Sequence, residues 1–346
     1  MRILVIGGNG FIGTPLVREL LHAGHDVGVF HRGSPSSSNE VLHLQGDRNR
    51  LRDHEPALRG FAPHVIVDLV LSSGEQAEQL VDVASALNAR IVAISSMDAY
   101  RAWGVMQGTE PGELEPMPLT EDSPVRTTRS VYPPDVIEKM KSIFTWLNTG
   151  YDKIAVEHAV MSGRASGTIV RLPMVYGPGD PLHRMHGTLK RIEDGRTAVI
   201  LAGDYAAWRG PRGYVENVAH AIAAASTSDR ATGRIYNICE EPTLTELEWQ
   251  TKIAAQANWP GRFVLLPTQQ TPKHLLQPGN ASQQLVVSSE RIRRELGYTE
   301  PFTTDEAIRR TIAWEKANPP SGPTLHQFDY AAEDAALAQA QSDRPA

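Results

Sequence analysis

Short apolar runs alternate along this chain with longer segments whose apolar residues recur at helical spacing. Arg2 to Ile6 is a β-branched-rich run, as a parallel strand buried on both faces requires. Thr14 to Ala23 carries Leu16, Val17, Leu20 and Leu21 on one helical face, and Gly24 is placed to stop that helix. Val27 to Phe30 resumes as a strand, so the opening reads as one βαβ unit. His64 to Val70 predicts a fourth strand and Glu75 to Leu87 a helix. "ARIVAISSMDAY" predicts a fifth strand entering a loop, "GTIVRLPMVYGPGD" a sixth ending in a Pro/Gly loop, and "GRIYNIC" a later one. This alternation predicts an α/β fold, a Rossmann-like doubly wound parallel sheet.

The pattern changes in four places. Ser34 to Glu40 is a polar loop, and Trp103 to Thr127 turns Pro-, Gly- and Glu-rich, as an extended loop over a cleft would. Leu182 to Asp194 and Glu246 to Asn258 have helical spacing, with Thr245 a plausible N-cap for the second. Thr303 to Ala317 is a further helix, and beyond Pro319 the chain is polar and then Ala-rich. The expected division is a dinucleotide-binding domain over 1–175, rejoined by a strand near 233–240, a smaller C-terminal substrate-binding lobe over 176–320, and a tail over 321–346, either a frayed helix or disordered.

Composition narrows the class. The 346 residues, 41% hydrophobic, suffice for one large core or two modest ones. A net charge of −6 with interspersed signs offers no basic stripe for nucleic acid. The single cysteine, Cys239, excludes an intrachain disulfide framework, and no residue spacing suggests a metal site; His183 and His186 lack an acid at ligand spacing. No apolar run has the length of a membrane span, and the N-terminus starts directly with a strand. A cytoplasmic protein is expected.

Gly7, Gly8, Gly10 and Gly13 punctuate the first turn. They follow a strand and open a helix, the context in which glycines let a backbone approach a pyrophosphate at a helix N-terminus. The second strand ends in "VFHRG", with His31 and Arg32 where an acid would hold a ribose diol. An arginine suits a 2′-phosphate, so NADP is expected ahead of NAD.

The spacing Gly7-x-x-Gly10-x-x-Gly13 in "GGNGFIG" resembles the extended short-chain dehydrogenase/reductase superfamily, the NAD(P)-dependent epimerase/dehydratase family. "ISSMDAYRAWG", "LTEDSPV", "RLPMVYGPGD", "RGYVENVAHAI", "SSERIRRELGY" and "EAIRRTIAWEK" extend the resemblance over about residues 1 to 316. It implies a cofactor site of Gly7, Gly10, Phe11, Ile12, Gly13, His31, Arg32, Asp47, Leu69, Lys153, Pro173 and Val175. It implies Tyr100, Tyr176 and Arg212 toward the substrate, and a homodimer paired partly through the helix carrying Lys153.

Family chemistry uses a Ser, and a Tyr four residues before a Lys. Ser96 and Lys153 match; Thr149 fills the Tyr position. A phenol has a pKa near about 10 that a cation can bring into working range, whereas an aliphatic hydroxyl is a far weaker acid. Tyr151 in "TGYDKIAVE" is off the Lys153 face if the helix is regular, but Gly150 allows an irregular start. Tyr100, Tyr132, Asp98 and His54 are further proton-transfer candidates. The resemblance thus implies an oxidoreductase or epimerase/dehydratase acting on a small molecule, a sugar nucleotide or similar polar carbonyl or hydroxyl compound. The alternative is an atypical, catalytically impaired member that binds cofactor or a partner.

Overall fold

The computed structural model describes every residue except 34–39, 130–131, 148–149, 323–325 and 343–346. Most of the Ser34 to Glu40 loop, the end of the tail and Thr149 therefore lie outside the described residues.

Seven strands form the central sheet: β1 (Arg2–Ile6), β2 (Asp26–His31), β3 (Leu42–Gln45), β4 (Val65–Asp68), β5 (Arg90–Ser96), β6 (Gly167–Leu172) and, after three strands outside it, β10 (Ile235–Asn237). Their order is β10-β6-β5-β4-β1-β2-β3, and every pairing is parallel. The order reverses between β1 and β4, so their carboxyl ends open a crevice. The late strand returns to the sheet as its spacing suggested, with Tyr236 opposite Val170.

Helices cover both faces. On one side Leu16 and Leu20 of helix Gly13–His22 and Val218, Ile222 and Ala225 of helix Val215–Thr227 bury against Ile3, Val5 and Val92. On the other, Leu80 and Ala84 of helix Gly74–Leu87 and Val156 and Val160 of helix Lys153–Ser162 cover Leu4, Ile66 and Ile91. Burying apolar side chains on both faces explains why these strands read as continuous hydrophobic runs.

The smaller lobe is built on two parallel pairs, β7 (Met174–Tyr176) with β9 (Arg212–Tyr214) and β8 (Ala198–Ala202) with β11 (Arg262–Leu266). Helix Glu246–Gln256 starts at Thr245, which forms a capping box with Glu248. Two elements differ from expectation, and the tail takes the helical alternative. The stretch from Trp103 is not all loop, because Arg101–Gln107 is a helix ended by Gly108 at φ 73°. Helix His186–Glu193 begins later than Leu182, after a turn in which His183 takes φ 47°. The Ala-rich tail folds as helix Tyr330–Ser342 and docks on the lobe, where buried Glu333 pairs with Arg191 at 2.5 Å and accepts from His274 at 2.9 Å. Among the described residues no helix is long and apolar enough to cross a membrane.

Candidate active site

Two cavities meet where β1, β4, β5 and β6 end. The first is a groove of about 800 Å³ running from the glycine turn past the ends of β2 and β3. Gly7 takes φ +85°, and a Cβ on Gly13 would stand 2.2 Å from Gly7 O. The turn is therefore folded so tightly that only glycine fits, and the N-terminus of helix Gly13–His22 faces the groove. His31, Arg32, Asp47, Phe11, Ile12 and Leu69 line it as expected. No carboxylate ends β2. The His31 ring bonds His43 at 3.2 Å, while its Nδ1 is buried without a hydrogen-bond partner. Arg32 is exposed at the rim and donates to Thr145 O at 3.0 Å. This cradle fits a nicotinamide dinucleotide.

The second cavity, of about 410 Å³, shares the walls Phe11, Ile12 and Leu69 and continues to Ser96, Asp98, Tyr132, Tyr151, Lys153, Pro173 and Val175. Helix Pro134–Ile143 and the residues after it cover both cavities with Ile143, Phe144 and Trp146. The sequence reading missed this cover. Its signal was present: prolines at the helix start, then Val136, Met140 and Ile143 at helical spacing.

The local backbone explains how Tyr151 reaches the site. Asp152 is extended (φ −156°, ψ 96°), and its side chain accepts from the backbone N–H groups of Ile154 and Ala155. It is the N-cap, so the helix begins at Lys153. Tyr151 precedes the helix, and the helical rule that separates i from i+2 does not govern it. Across one extended residue, alternate side chains share a side. The Lys153 ammonium lies 5.7 Å from the centre of the Tyr151 ring.

Lys153 Nζ donates to Leu71 O at 2.5 Å and Ile94 O at 3.0 Å. Burial lowers its pKa to about 8, partly opposed by the charges of Asp98, Asp68 and Glu157. Tyr151 Oη donates to Asp98 Oδ2 at 2.6 Å, and Tyr132 Oη donates to the same oxygen at 3.2 Å. Burial first, and then Asp98, push the Tyr151 phenol well above its ordinary pKa, while a bond with the Ser96 side chain acts the other way. Ser96 Oγ also accepts from the Asp98 backbone N–H at 3.1 Å.

Other candidates fall elsewhere. Tyr100 is fully buried, donates to Asn237 Oδ1 at 2.8 Å and lies under the Arg171 guanidinium, so it cannot face a substrate. Tyr176 and Arg212 border a third cavity, of about 450 Å³ in the lobe, which shares the walls Met174, Leu182 and Arg184 with the second. There Tyr176 donates to Glu240 at 2.8 Å, and Arg212 pairs with Glu246 and stacks 4.8 Å over Trp249. His54 accepts from the Asp47 backbone N–H and packs against Phe30, away from the reacting end.

Residues 3–239 match the NAD dependent epimerase/dehydratase family, and the chain belongs to it. It is 25% identical over 285 residues to the 2'-dehydrokanamycin reductase of Streptomyces kanamyceticus, covering 80% of this chain and 72% of that protein. It is 23% identical over 344 residues to the UDP-glucose 4-epimerase of Corynebacterium glutamicum, covering 91% and 95% of the two chains. The fold is similar to that of the Bordetella bronchiseptica enzyme WbmG in complex with NAD, with a TM-score of 0.66, 17% identity, and 92% and 94% of the two chains covered.

Proposed function

We propose that this protein is an NAD(P)-dependent oxidoreductase or epimerase acting on a sugar nucleotide or a similarly polar carbonyl or hydroxyl compound, with Tyr151 in the place of the proton-transfer group. The observation that carries the reading is the meeting of Ser96, Tyr151 and Lys153 in a cavity sharing walls with the glycine-lined groove. Family membership and likeness to a UDP-glucose 4-epimerase and to an NAD-bound enzyme support it. When bound, the dinucleotide supplies the hydride donor or acceptor. Gly7, Gly10, Phe11, Ile12 and Gly13 would hold its pyrophosphate, and His31, Arg32 and Asp47 the adenosine end. Leu69, Pro173 and Val175 would flank the nicotinamide, and Lys153 its ribose. Arg32 follows a β2 that ends without a carboxylate, which favours NADP over NAD.

The reading of an impaired, cofactor- or partner-binding protein rested on Thr149 at the usual Tyr position. Tyr151 beside Lys153 favours the enzyme reading over it. In the enzyme reading, Ser96 polarises the substrate oxygen and Tyr151 exchanges a proton with it. We place the protein in the cytoplasm as a homodimer, paired through the outer faces of helices Gly74–Leu87 and Lys153–Ser162, where Ile154 and Ala159 are half-buried and Met161 is exposed. Light scattering at micromolar concentration checks the dimer; a monomer mass would refute it. The functional test is absorbance at the nicotinamide band with NADPH and NADH across a panel of nucleotide sugars, beside calorimetric titration of both dinucleotides. Failure of both dinucleotides to bind would end the reading.

A further inference from the structure

The family's usual arrangement makes a phenolate by placing a lysine near the phenol. Here the charges around Tyr151 are set the other way. Its hydroxyl points at a carboxylate, Asp98 Oδ2, 2.6 Å away. The Lys153 ammonium directs protons to the carbonyls of Leu71 and Ile94. We propose that Tyr151 works as a relay between the substrate oxygen and Asp98, and that Asp98, acting through Tyr151, holds the proton that leaves the substrate. This rests on the oxidoreductase reading above.

The geometry supports a proton-holding role. Asp98 is 2% exposed, within the turn Met97–Ala99 that follows Ser96. Its Oδ2 takes both phenols, while its Oδ1 is buried with no hydrogen-bond partner. An unpartnered buried carboxylate oxygen is uncommon and calls for an explanation, which a proton-holding role supplies. The charged and titratable groups facing Asp98 are Arg126, whose Nη2 is 3.9 Å from Oδ1, Tyr132, Tyr151 and Lys153. Arg126 is fully buried and anchored to the Asp98 backbone carbonyl and to Thr128 O, so it supplies the countercharge without bonding the carboxylate.

In the oxidising direction, the substrate O–H bond breaks as a new O–H bond forms at Tyr151 Oη. The original Tyr151 O–H bond breaks as one forms at Asp98 Oδ2. The substrate C–H electron pair leaves as hydride to an oxidised nicotinamide dinucleotide, the co-reactant. The alcohol becomes a carbonyl, the dinucleotide gains two electrons, and Asp98 ends as a neutral acid. Reduction runs the same path backward. Tyr151 stays a neutral phenol at both ends, which suits a group whose ionisation is opposed by burial and by Asp98.

Carbon-13 NMR of protein labelled at tyrosine Cζ tests this without a substrate, the Tyr151 resonance being assigned by its loss in Tyr151→Phe. In the wild type it should report a neutral phenol throughout the neutral range. In Asp98→Asn its titration should move to lower pH, since a negative neighbour is gone. With UDP-glucose and NADP⁺, Asp98→Asn should lose about 10²-fold or more in turnover at neutral pH. Its rate should climb with pH as phenolate forms, whereas the wild-type rate should not. NADP⁺ affinity should not change. A wild-type Tyr151 already ionised at neutral pH overturns the proposal, and that result needs no variant to fold. An unchanged Tyr151 titration in a folded Asp98→Asn protein overturns it too. Absence of dinucleotide binding in the wild type would instead defeat the functional reading, and the relay with it, whatever the spectrum shows.

Discussion

The Lys153 ammonium stands 5.7 Å from the centre of the Tyr151 ring, with only the extended residue Asp152 between them in the chain. That contact puts a phenol beside the lysine proposed to hold the cofactor. Tyr151→Phe removes the transferable proton and keeps the ring, so turnover should fall by about 10²- to 10⁴-fold with NADP⁺ affinity intact. Lys153→Ala should instead weaken dinucleotide binding in a calorimetric titration. Thr149→Ala should change turnover only modestly, and a drop as large as that of Tyr151→Phe would reverse the assignment.

The sheet and the glycine turn were legible because both follow from local rules. A strand buried on two faces must be apolar throughout, and Gly13 cannot carry a Cβ beside Gly7 O. The position of Tyr151 was not legible, because it depends on where one helix begins. "TGYDK" permits a helix from Thr149, but Asp152 caps it at Lys153. An Asp with two following N–H groups to satisfy is a start signal that the Tyr-x-x-x-Lys spacing obscured. Tyr100 misled for another reason. Its segment resembles the family's, yet the side chain turns into the protein toward Arg171 and Asn237, a choice made by tertiary packing. Arg126 and the cover over the cavities come from segments far from the glycine turn, and only folding brings them to the site.

Lys153 gives a pH prediction whose sign follows from its burial. Its pKa is lowered to about 8 in the folded chain from the ordinary 10.5. Between those values the unfolded chain holds more protons than the native one, so the Lys153 contribution to stability rises with pH. Burying the charged form thus opposes folding below about pH 8, and this penalty fades above it. In urea unfolding, wild type should gain stability relative to Lys153→Met as pH is raised from 7 to about 10. The slope is the test, because Lys153→Met also strips the Leu71 and Ile94 carbonyls of a donor at every pH. Parallel curves for the two proteins would mean that Lys153 is not desolvated as described.

Arg32 bears on cofactor choice. It sits at the end of β2, at the groove rim, and its guanidinium also holds Thr145 O of the covering segment. A 2′-phosphate is the part of NADP that NAD lacks. Arg32→Ala should therefore weaken NADP by about 10-fold or more, as for one lost charge-assisted contact, and leave NAD nearly unchanged. Equal losses for both dinucleotides would indicate that Arg32 acts through the cover at Thr145 and not through the phosphate. Calorimetry with each dinucleotide distinguishes these.

Behind the site, Arg171 and Glu157 form a buried pair with two bonds, Nε to Oε1 at 2.9 Å and Nη2 to Oε2 at 2.7 Å. The Arg171 side chain is 2% exposed, its guanidinium covers the Tyr100 ring at 4.6 Å, and Ser95 Oγ donates to Glu157 Oε1 at 2.6 Å. Glu157 lies one turn beyond Lys153, and Ser95 is next to Ser96, so the Ser95–Glu157 bond ties the helix of the lysine to the strand of the serine, while the ion pair ties that helix to β6. Removing one member of a buried ion pair leaves an uncompensated charge and typically costs about 3–5 kcal/mol. Glu157→Leu should lose an amount of that order in urea unfolding. Glu157→Leu with Arg171→Met should recover much of it, because no unpaired charge remains. If Glu157→Leu cost under about 1 kcal/mol, the range of exposed pairs, Arg171 would have to find water or another acceptor. Another contact would then have to hold the Ser96 to Lys153 spacing.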